Sequence, residues 1–399
     1  MIKLLDLKNH SVIAINQNNY TKEDNYKKVC YLDTDNITNN RINAFLKIDL
    51  TKEKLPSRAK RKCSLNSIIY SSVRPNQRHF GIIKEIPKNF LVSTAFIVID
   101  IIDLKKLDPN YLYYYITQDK ITHYLQRIAE CGTSSYPSIT PLDFLNIKIK
   151  LYPLETQQKI ARTLSVLDQK IENNHKINEI LHKILELLYE QYFVRFDFLD
   201  ENNKPYQTSS GKMKFSKELN RLIPSGWSVR FLNHKIVSTY QPKTISKTLL
   251  NDSYSYSVYG GGGIIGRFTE YNHEQSEFII SCRGQCGISY LTLPKSWITG
   301  NAMVIRPTKS YTSKTYLYHT IKKYKLANYI TGSVQPQITR QNLSTMPILI
   351  PKRKTLNKWN NISSLLWNLI HNNMQSTQTL TALRDFLLPL LLKQQVKPQ

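Results

Sequence analysis

Between 155 and about 192 the chain contains neither proline nor glycine, and its apolar positions step by four and three. Ile160, Leu164, Leu167, Ile171, Leu181, Leu185, Leu188 and Tyr192 keep one 3.5-residue period, and Asn174 and Asn178 fall in the same register. That spacing predicts a helix whose a/d seam packs on another helix. About 38 residues rising 1.5 Å each give a rod roughly 57 Å long. A second stretch has the same phase: Trp359, Ser363, Leu366, Ile370, Asn373, Thr377, Leu380, Arg384, Leu387 and Leu391. Its seam is polar at Ser363 and Arg384. Pro389 is expected to end or kink it, because an interior proline removes one helical hydrogen bond and crowds the preceding turn.

Outside these stretches the pattern is mixed α/β. Short β-rich runs at 67–72, 91–101, 277–281 and 302–305 are separated by Pro, Gly and Asn, which predicts strands. Helices are expected at about 108–129 and 315–329. Each half closes on a strand-like run, 147–151 or 346–350, and then a proline.

The halves repeat. Pro137-Ser138-Ile139-Thr140 returns as Pro336-Gln337-Ile338-Thr339, and Ile171-Glu172-Asn173-Asn174 returns as Ile370-His371-Asn372-Asn373, both 199 residues on. A repeat of this length sets the architecture. Upstream, with gaps, Tyr111-Leu112-Tyr113 matches Tyr316-Leu317-Tyr318, and Ser71-Ser72-Val73-Arg74 matches Ser281-Cys282-Arg283, which pairs Arg74 with Arg283. No match is visible earlier. The plan is a domain at 1–152, a spacer helix at 153–199, a linker at 200–214, a second domain at 215–351, and a second helix and tail at 352–399. If the helices pack antiparallel about a pseudo-two-fold axis, Asn178 faces Asn373 and Asn174 faces Thr377. Such polar layers fix register at some cost in stability; alternatively the helices diverge there and the asparagines are hydrated.

Charge changes the picture. Lys and Arg number 55 against 29 Asp and Glu, a net charge of +26. Nucleic acid is the expected partner, with an acidic membrane surface or acidic protein as the competitor. The excess is uneven: residues 301–350 carry seven Lys/Arg and no Asp/Glu, whereas 151–200 carry six against eight. The first long helix is therefore not expected to lie along phosphates. Five irregularly spaced cysteines (Cys30, Cys63, Cys131, Cys282 and Cys286) with no secretory leader suggest reduced thiols in a cytoplasm. No run of about 18 apolar residues predicts a membrane span.

No catalytic constellation emerges. The tetraglycine 260–263 lacks the Gly-Lys-Ser/Thr of a phosphate loop and reads instead as a loop close to a DNA backbone. Cys282 and Cys286 have no second pair at zinc spacing, so no metal site is expected. Asp100, Asp103 and Lys105 are the nearest approach to a nuclease cluster and read as solvated turn residues. The expected function is binding.

The junction Gly132-Thr133-Ser134-Ser135-Tyr136-Pro137-Ser138-Ile139-Thr140, followed by Pro153-Leu154-Glu155-Thr156-Gln157-Gln158-Lys159-Ile160-Ala161, resembles the DNA-specificity subunits of type I restriction–modification enzymes. Ile223-Pro224-Ser225-Gly226-Trp227 resembles the usual lead into their recognition domains, and Trp297 with Asn301-Ala302 resembles the second domain's pattern. The first half lacks that lead. The second helix begins Lys352-Arg353-Lys354, where equivalents of Glu155 and Gln157 would stand. The resemblance covers nearly the whole chain. It implies two target-recognition domains, each reading half of a gapped site in double-stranded DNA, with two antiparallel coiled-coil helices as spacer. It also implies docking of two methyltransferase subunits and of restriction/translocase subunits, through helix residues Glu155, Gln157, Gln158, Ile160, Leu164, Leu167, Ile171, Asn174, Asn178, Leu366, Ile370, Asn373 and Thr377. S-adenosylmethionine, ATP and Mg belong to those partners; this chain is expected to hold no cofactor and to act in the cytoplasm without a membrane.

Arginine suits guanine edges, and asparagine and glutamine suit adenine; phosphate contacts supply affinity. Arg58, Lys60, Arg61 and Lys62 form a basic cluster suited to phosphates. Arg74 and Arg78 flank Pro75 after a strand, a reader position, and Arg283 and Gln285 take the matching place in the second half. Arg267 follows the glycine loop, and Gln335, Gln337 and Arg340 lie at the second junction. Each is otherwise a solvated surface group. Competing readings are the specificity subunit of a type II system, an RNA-binding coiled-coil scaffold whose 25 tyrosines would stack on bases, and a metal-dependent nuclease.

Overall fold

The computed structural model describes residues 1–132, 136–251, 254–284, 286–332 and 335–397. It forms two compact units, one of Met1–Asn173 with Thr377–Gln399 and one of Asn174–Ser376.

The first unit is built on four antiparallel strands, β1 (Ile13–Ile15), β2 (Ile68–Ser71), β3 (Phe80–Ile82) and β4 (Phe96–Ile101), in the order β1-β4-β2-β3. Alternate residues feed two cores. Ile68, Tyr70, Ile97 and Ile99 pack with Tyr111, Leu112 and Leu125, while Ile69, Phe96 and Val98 pack with Phe90 and Val92. A sheet covered on both faces gives an unbroken apolar run instead of alternation. The run at 91–101 is therefore two strands, not one: Phe90–Ser93 pairs with Lys28–Leu32 in a neighbouring sheet. The bend between them is held where the Ser72 N–H donates to the Ala95 carbonyl (2.8 Å) and the Thr94 N–H to that of Arg58 (2.8 Å).

The expected helix at 108–129 is likewise divided, into Pro109–Ile116 and Asp119–Glu130. At the break the Thr117 hydroxyl donates to the Tyr113 carbonyl (2.8 Å) and the Gln118 amide to that of Tyr115 (2.6 Å), so side chains compete with the helical ladder.

The second unit repeats the arrangement with β5 (Val237–Tyr240), β6 (Phe278–Ser281), β7 (Ser289–Leu291) and β8 (Ala302–Pro307), in the order β5-β8-β6-β7. The helix expected at 315–329 covers Lys314–Lys322, with a separate 3₁₀ turn at Leu326–Tyr329. Equivalent caps recur 199 residues apart: the Thr140 side chain accepts from the Asp143 N–H, and the Thr339 side chain from that of Asn342. The Tyr111 hydroxyl donates to the Lys150 carbonyl and the Tyr316 hydroxyl to that of Leu349, each at 2.5 Å. The structural repeat thus extends upstream of the last sequence match, to β1 and β5, because backbone pairing and burial preserve it without residue identity.

The long helices cover Leu154–Tyr189, continuing as a π turn to Val194, and Arg353–Leu392. The second runs past Pro389 to Leu392. Within the first unit Asp168 meets Arg384, and the Tyr152 hydroxyl donates to the Leu392 carbonyl (3.0 Å). Within the second, the Asn373 amide donates to Asn178 Oδ1 (2.9 Å), and the Tyr189 and Trp359 ring centroids stand 5.8 Å apart. In each unit one residue number rises as the other falls, so the segments run antiparallel there. The two weak seam positions have dedicated partners: Ser363 Oγ lies 2.8 Å from Thr315 Oγ1, and Arg384 is ion-paired. The 200–214 segment folds back, with Tyr206 stacked on Phe198 (4.9 Å) and Phe198 on Trp227 (5.1 Å). Among the described residues no helix is long and apolar enough to cross a membrane.

Candidate nucleic-acid interface

In the first unit β2 ends at a loop pinned to the 136–139 segment. Val73 bridges Ser138, the Ile139 N–H donates to the Ser72 carbonyl (2.8 Å), and the Arg74 N–H donates to that of Pro137 (2.8 Å). Arg74 adopts a left-handed conformation, φ 46°, and opens a 3₁₀ turn at Pro75–Gln77. A non-glycine residue there carries strain that the surrounding bonds must hold. Its exposed guanidinium lies over the Tyr136 ring, 5.3 Å from the centroid. Arg78, also left-handed, is ion-paired to Asp119 at 2.8 Å.

The second unit has the same crossover. Arg283 bridges Gln337, and the Ile338 N–H donates to the Cys282 carbonyl (3.1 Å). These bonds correct the sequence pairing of the two arginines. Val73, not Arg74, is the backbone counterpart of Arg283, because each bridges the matching residue of the 199-residue repeat. Both arginines are exposed, on the equivalent loop of each unit, one residue out of step. Gln335, Gln337 and Arg340 are also exposed, with Gln337 opposite Arg283 across the bridge, whereas Gln285 lies outside the described residues.

The remaining candidates separate. Arg58 and Lys60 are exposed. The Arg61 guanidinium donates to the Thr94 carbonyl (3.3 Å) and is half-buried. Lys62 is 2.5 Å from Asp24 and holds that carboxyl below its usual range. Arg267 is turned onto its own loop, bonded to the Tyr254 and Ser255 carbonyls. Four of the proposed DNA cations, Arg61, Lys62, Arg78 and Arg267, are therefore engaged inside the chain, a fact that depends on nonlocal contacts and that no local pattern reveals.

Of the helix residues, Gln157 does not face outward. It is fully buried, its Oε1 accepts from the Asp108 N–H (3.0 Å), and its amide donates to the Lys106 (2.9 Å) and Tyr152 (2.7 Å) carbonyls. It ties the helix start to the first domain, while Glu155 and Gln158 are exposed. Ile160, Leu164 and Ile370 are buried, and Leu167, Ile171, Asn174, Leu366 and Thr377 half-buried.

Sequence reading missed an ion cluster in the first unit. Arg384 reaches Asp168 and Asp385, each at 2.8 Å, and the Tyr114 hydroxyl donates to Asp168 (2.5 Å). The only sequence signal is an arginine at a seam position. Asp103 accepts from the Lys105 N–H (3.0 Å) and serves a turn, whereas Asp100, expected in a turn, lies in β4 and accepts from the Ser67 hydroxyl beside the neighbouring strand. Burial pushes the Cys282 thiol above its ordinary value, which disfavours the thiolate a metal would need. Among the described residues no group of three His, Cys, Asp or Glu could hold a metal ion.

Residues 8–182 and 224–383 match the family described as Type I restriction modification DNA specificity domain. The chain is 22% identical to the Type I restriction enzyme HindI specificity subunit of Haemophilus influenzae, over 93% of this chain and 95% of that one. It is 25% identical to the Type I restriction enzyme MjaIX specificity subunit of Methanocaldococcus jannaschii, over 71% and 68%. The crystal structure of a type I restriction–modification S subunit from M. genitalium has the same fold, with a TM-score of 0.56 at 16% identity, covering 98% of this chain and 95% of that one.

Proposed function

We propose, for a chain that belongs to the type I restriction–modification DNA-specificity family, that it selects the DNA sequence on which a modification and restriction complex acts. It is the non-catalytic subunit. Residues 1–152 and 215–351 serve as recognition domains, each reading one half of a gapped site. The two long helices act as an antiparallel coiled-coil spacer about a pseudo-two-fold axis and as the dock for two modification subunits. S-adenosylmethionine, ATP and Mg act on the partner subunits. One observation carries this reading: the same strand-to-loop crossover, bearing an exposed arginine, occurs once in each unit. In this reading Arg74, Arg283, Gln335, Gln337 and Arg340 face base edges, and Arg58 and Lys60 face phosphates.

Expressing the chain with its modification subunit in a host free of adenine methylation tests the reading. Long-read sequencing should reveal a new two-part motif with a fixed gap, absent when this chain is omitted. A continuous motif, or no motif from a purified complex of the two proteins, would refute it.

The helices support the docking role, and unequally. In the second unit Ile177, Ile180, Ile184 and Leu187 on one helix, and Ile362, Leu365 and Leu369 on the other, are exposed. Each set is offset from its seam in the same rotational sense, so antiparallel packing places both on one face. Among the described residues the first unit exposes Val166, Leu383 and Phe386 there. The second unit therefore binds its modification subunit more tightly. Leu365→Ser with Leu369→Ser, at residues 67% and 51% exposed, should weaken that contact by about 2 kcal/mol, roughly thirtyfold. Mass measurement of the intact complex should then show one modification subunit where the unaltered chain carries two. Two subunits retained at the same concentration would remove the face from the interface.

A further inference from the structure

The tetraglycine is not absorbed by the reading above. Strands Tyr256–Gly260 and Gly263–Phe268 form a hairpin in which Gly260 pairs with Gly263, so Gly261-Gly262 is a two-residue tip. The tip rests on the loop after β6. A Cβ at Gly261 would stand 2.7 Å from the Arg283 carbonyl oxygen and 2.9 Å from Ser281 Oγ. No side chain larger than hydrogen fits unless one of the two segments moves.

The Arg283 side is the one that gives. Ser281 and the residues before it are fixed by pairing with Ala302 and Met303. Arg283 is held more lightly, by the bridge to Gln337 and by the Ser281 hydroxyl donating to its carbonyl (3.3 Å). Gly284 follows at φ 73° with open space around it. The first unit has a counterpart. The turn Asn39-Asn40, both residues at positive φ, bears on the loop after β2: the Asn39 N–H donates to the Arg78 carbonyl (2.9 Å), and Asn40 Oδ1 accepts from the Ile82 N–H (2.8 Å). In both units a hairpin tip touches the carbonyl of an arginine on this loop.

We propose that Gly261 is a positioning residue for sequence reading: its missing side chain lets the hairpin tip seat against the Arg283 backbone and set the depth at which that guanidinium meets a base. The inference rests on the reading of Arg283 as a base contact. A bidentate contact tolerates little displacement, so precision comes from the supporting shell.

The test compares Gly261→Ala and Arg283→Ala, each coexpressed with the modification subunit, by mapping methylated adenines. Arg283→Ala should relax one base of one half-site, with roughly tenfold lost discrimination. Gly261→Ala should relax the same base and leave the other half-site intact, a pattern that general destabilisation does not produce. An unchanged motif for Gly261→Ala beside a relaxed one for Arg283→Ala overturns the inference and leaves the reading standing. An unchanged motif for Arg283→Ala overturns the reading of that arginine and the inference with it. Should Gly261→Ala not fold, Ser281→Ala removes the hydroxyl bonded to Arg283 without adding bulk, and relaxation at the same base is again the supporting result and its absence the opposing one.

Discussion

Replacing Arg384 by alanine should destabilise the first unit by about 3 kcal/mol. The guanidinium lies between Asp168 and Asp385, and its side chain is 22% exposed, with Asp168 at 23%. Removing it leaves Asp168 partly desolvated with the Tyr114 hydroxyl as its remaining polar partner at 2.5 Å. The cost of a buried pair is greatest when one half is removed, because the other charge then has neither water nor a counter-ion. Two features keep the figure at the low end. Asp385 is 56% exposed, and a cavity of about 170 Å³ lined by Tyr113, Tyr114, Asp168 and Arg384 admits water beside the pair. For a unit of this size the thermal midpoint should fall roughly 6–12 °C. Adding Asp168→Ala should cost less than the sum of the two single changes, by about 2 kcal/mol in a double-mutant cycle. A midpoint that barely moves for Arg384→Ala would mean that water already screens the pair.

That cluster also marks how far the sequence is legible. The long helices are, because a 3.5-residue period is a local signal repeated over ten turns. The junction repeat is, because turns and caps such as Thr140 and Thr339 tolerate few residue types. The order of strands in each sheet is not, since it depends on which distant backbones bond; the run at 91–101 shows the failure, where two strands of different sheets share one apolar stretch. Of the candidate interface, the placement of an arginine-bearing loop after a strand is legible in each half. The pairing of Arg74 with Arg283 is not legible, because a gap of one residue shifts it, and the bridges of Val73 to Ser138 and of Arg283 to Gln337 give the register. Gln157 differs in another way: a glutamine on a helix start reads as surface, and its burial goes with two backbone partners on a distant segment, Lys106 and Asp108, and a third at Tyr152 just before the helix.

Acid should loosen the second unit before the first, by about 4 kcal/mol between pH 7 and pH 5. Three imidazoles surround Trp367: ring centroids of His182, His371 and His319 stand 5.1, 5.8 and 6.4 Å from it. His319 is 3% exposed and His371 9%, and the Nε2 of each is buried without a hydrogen-bond partner among the described residues. Burial lowers His319 to about 3 and His371 to about 4. The neighbouring charges act the same way: Lys322, Lys323 and His182 on His319, and Lys314 and His182 on His371. Glu186 opposes this only at His182, whose own value is lowered, chiefly by burial. The sign follows directly. The unfolded chain binds these protons near pH 6.5 and the folded chain does not, so stability is full above that pH and is lost as pH falls toward the folded values. Each imidazole costs about 1.4 kcal/mol per pH unit in that window. All four tryptophans, Trp227, Trp297, Trp359 and Trp367, belong to this unit, so their fluorescence follows its unfolding. His319→Phe keeps a ring against Trp359 and Tyr189 but removes one titration, and should roughly halve the acid loss. A tryptophan transition equally stable at pH 7 and pH 5 in the unaltered chain would show that these imidazoles are hydrated and that the packing around Trp367 is open.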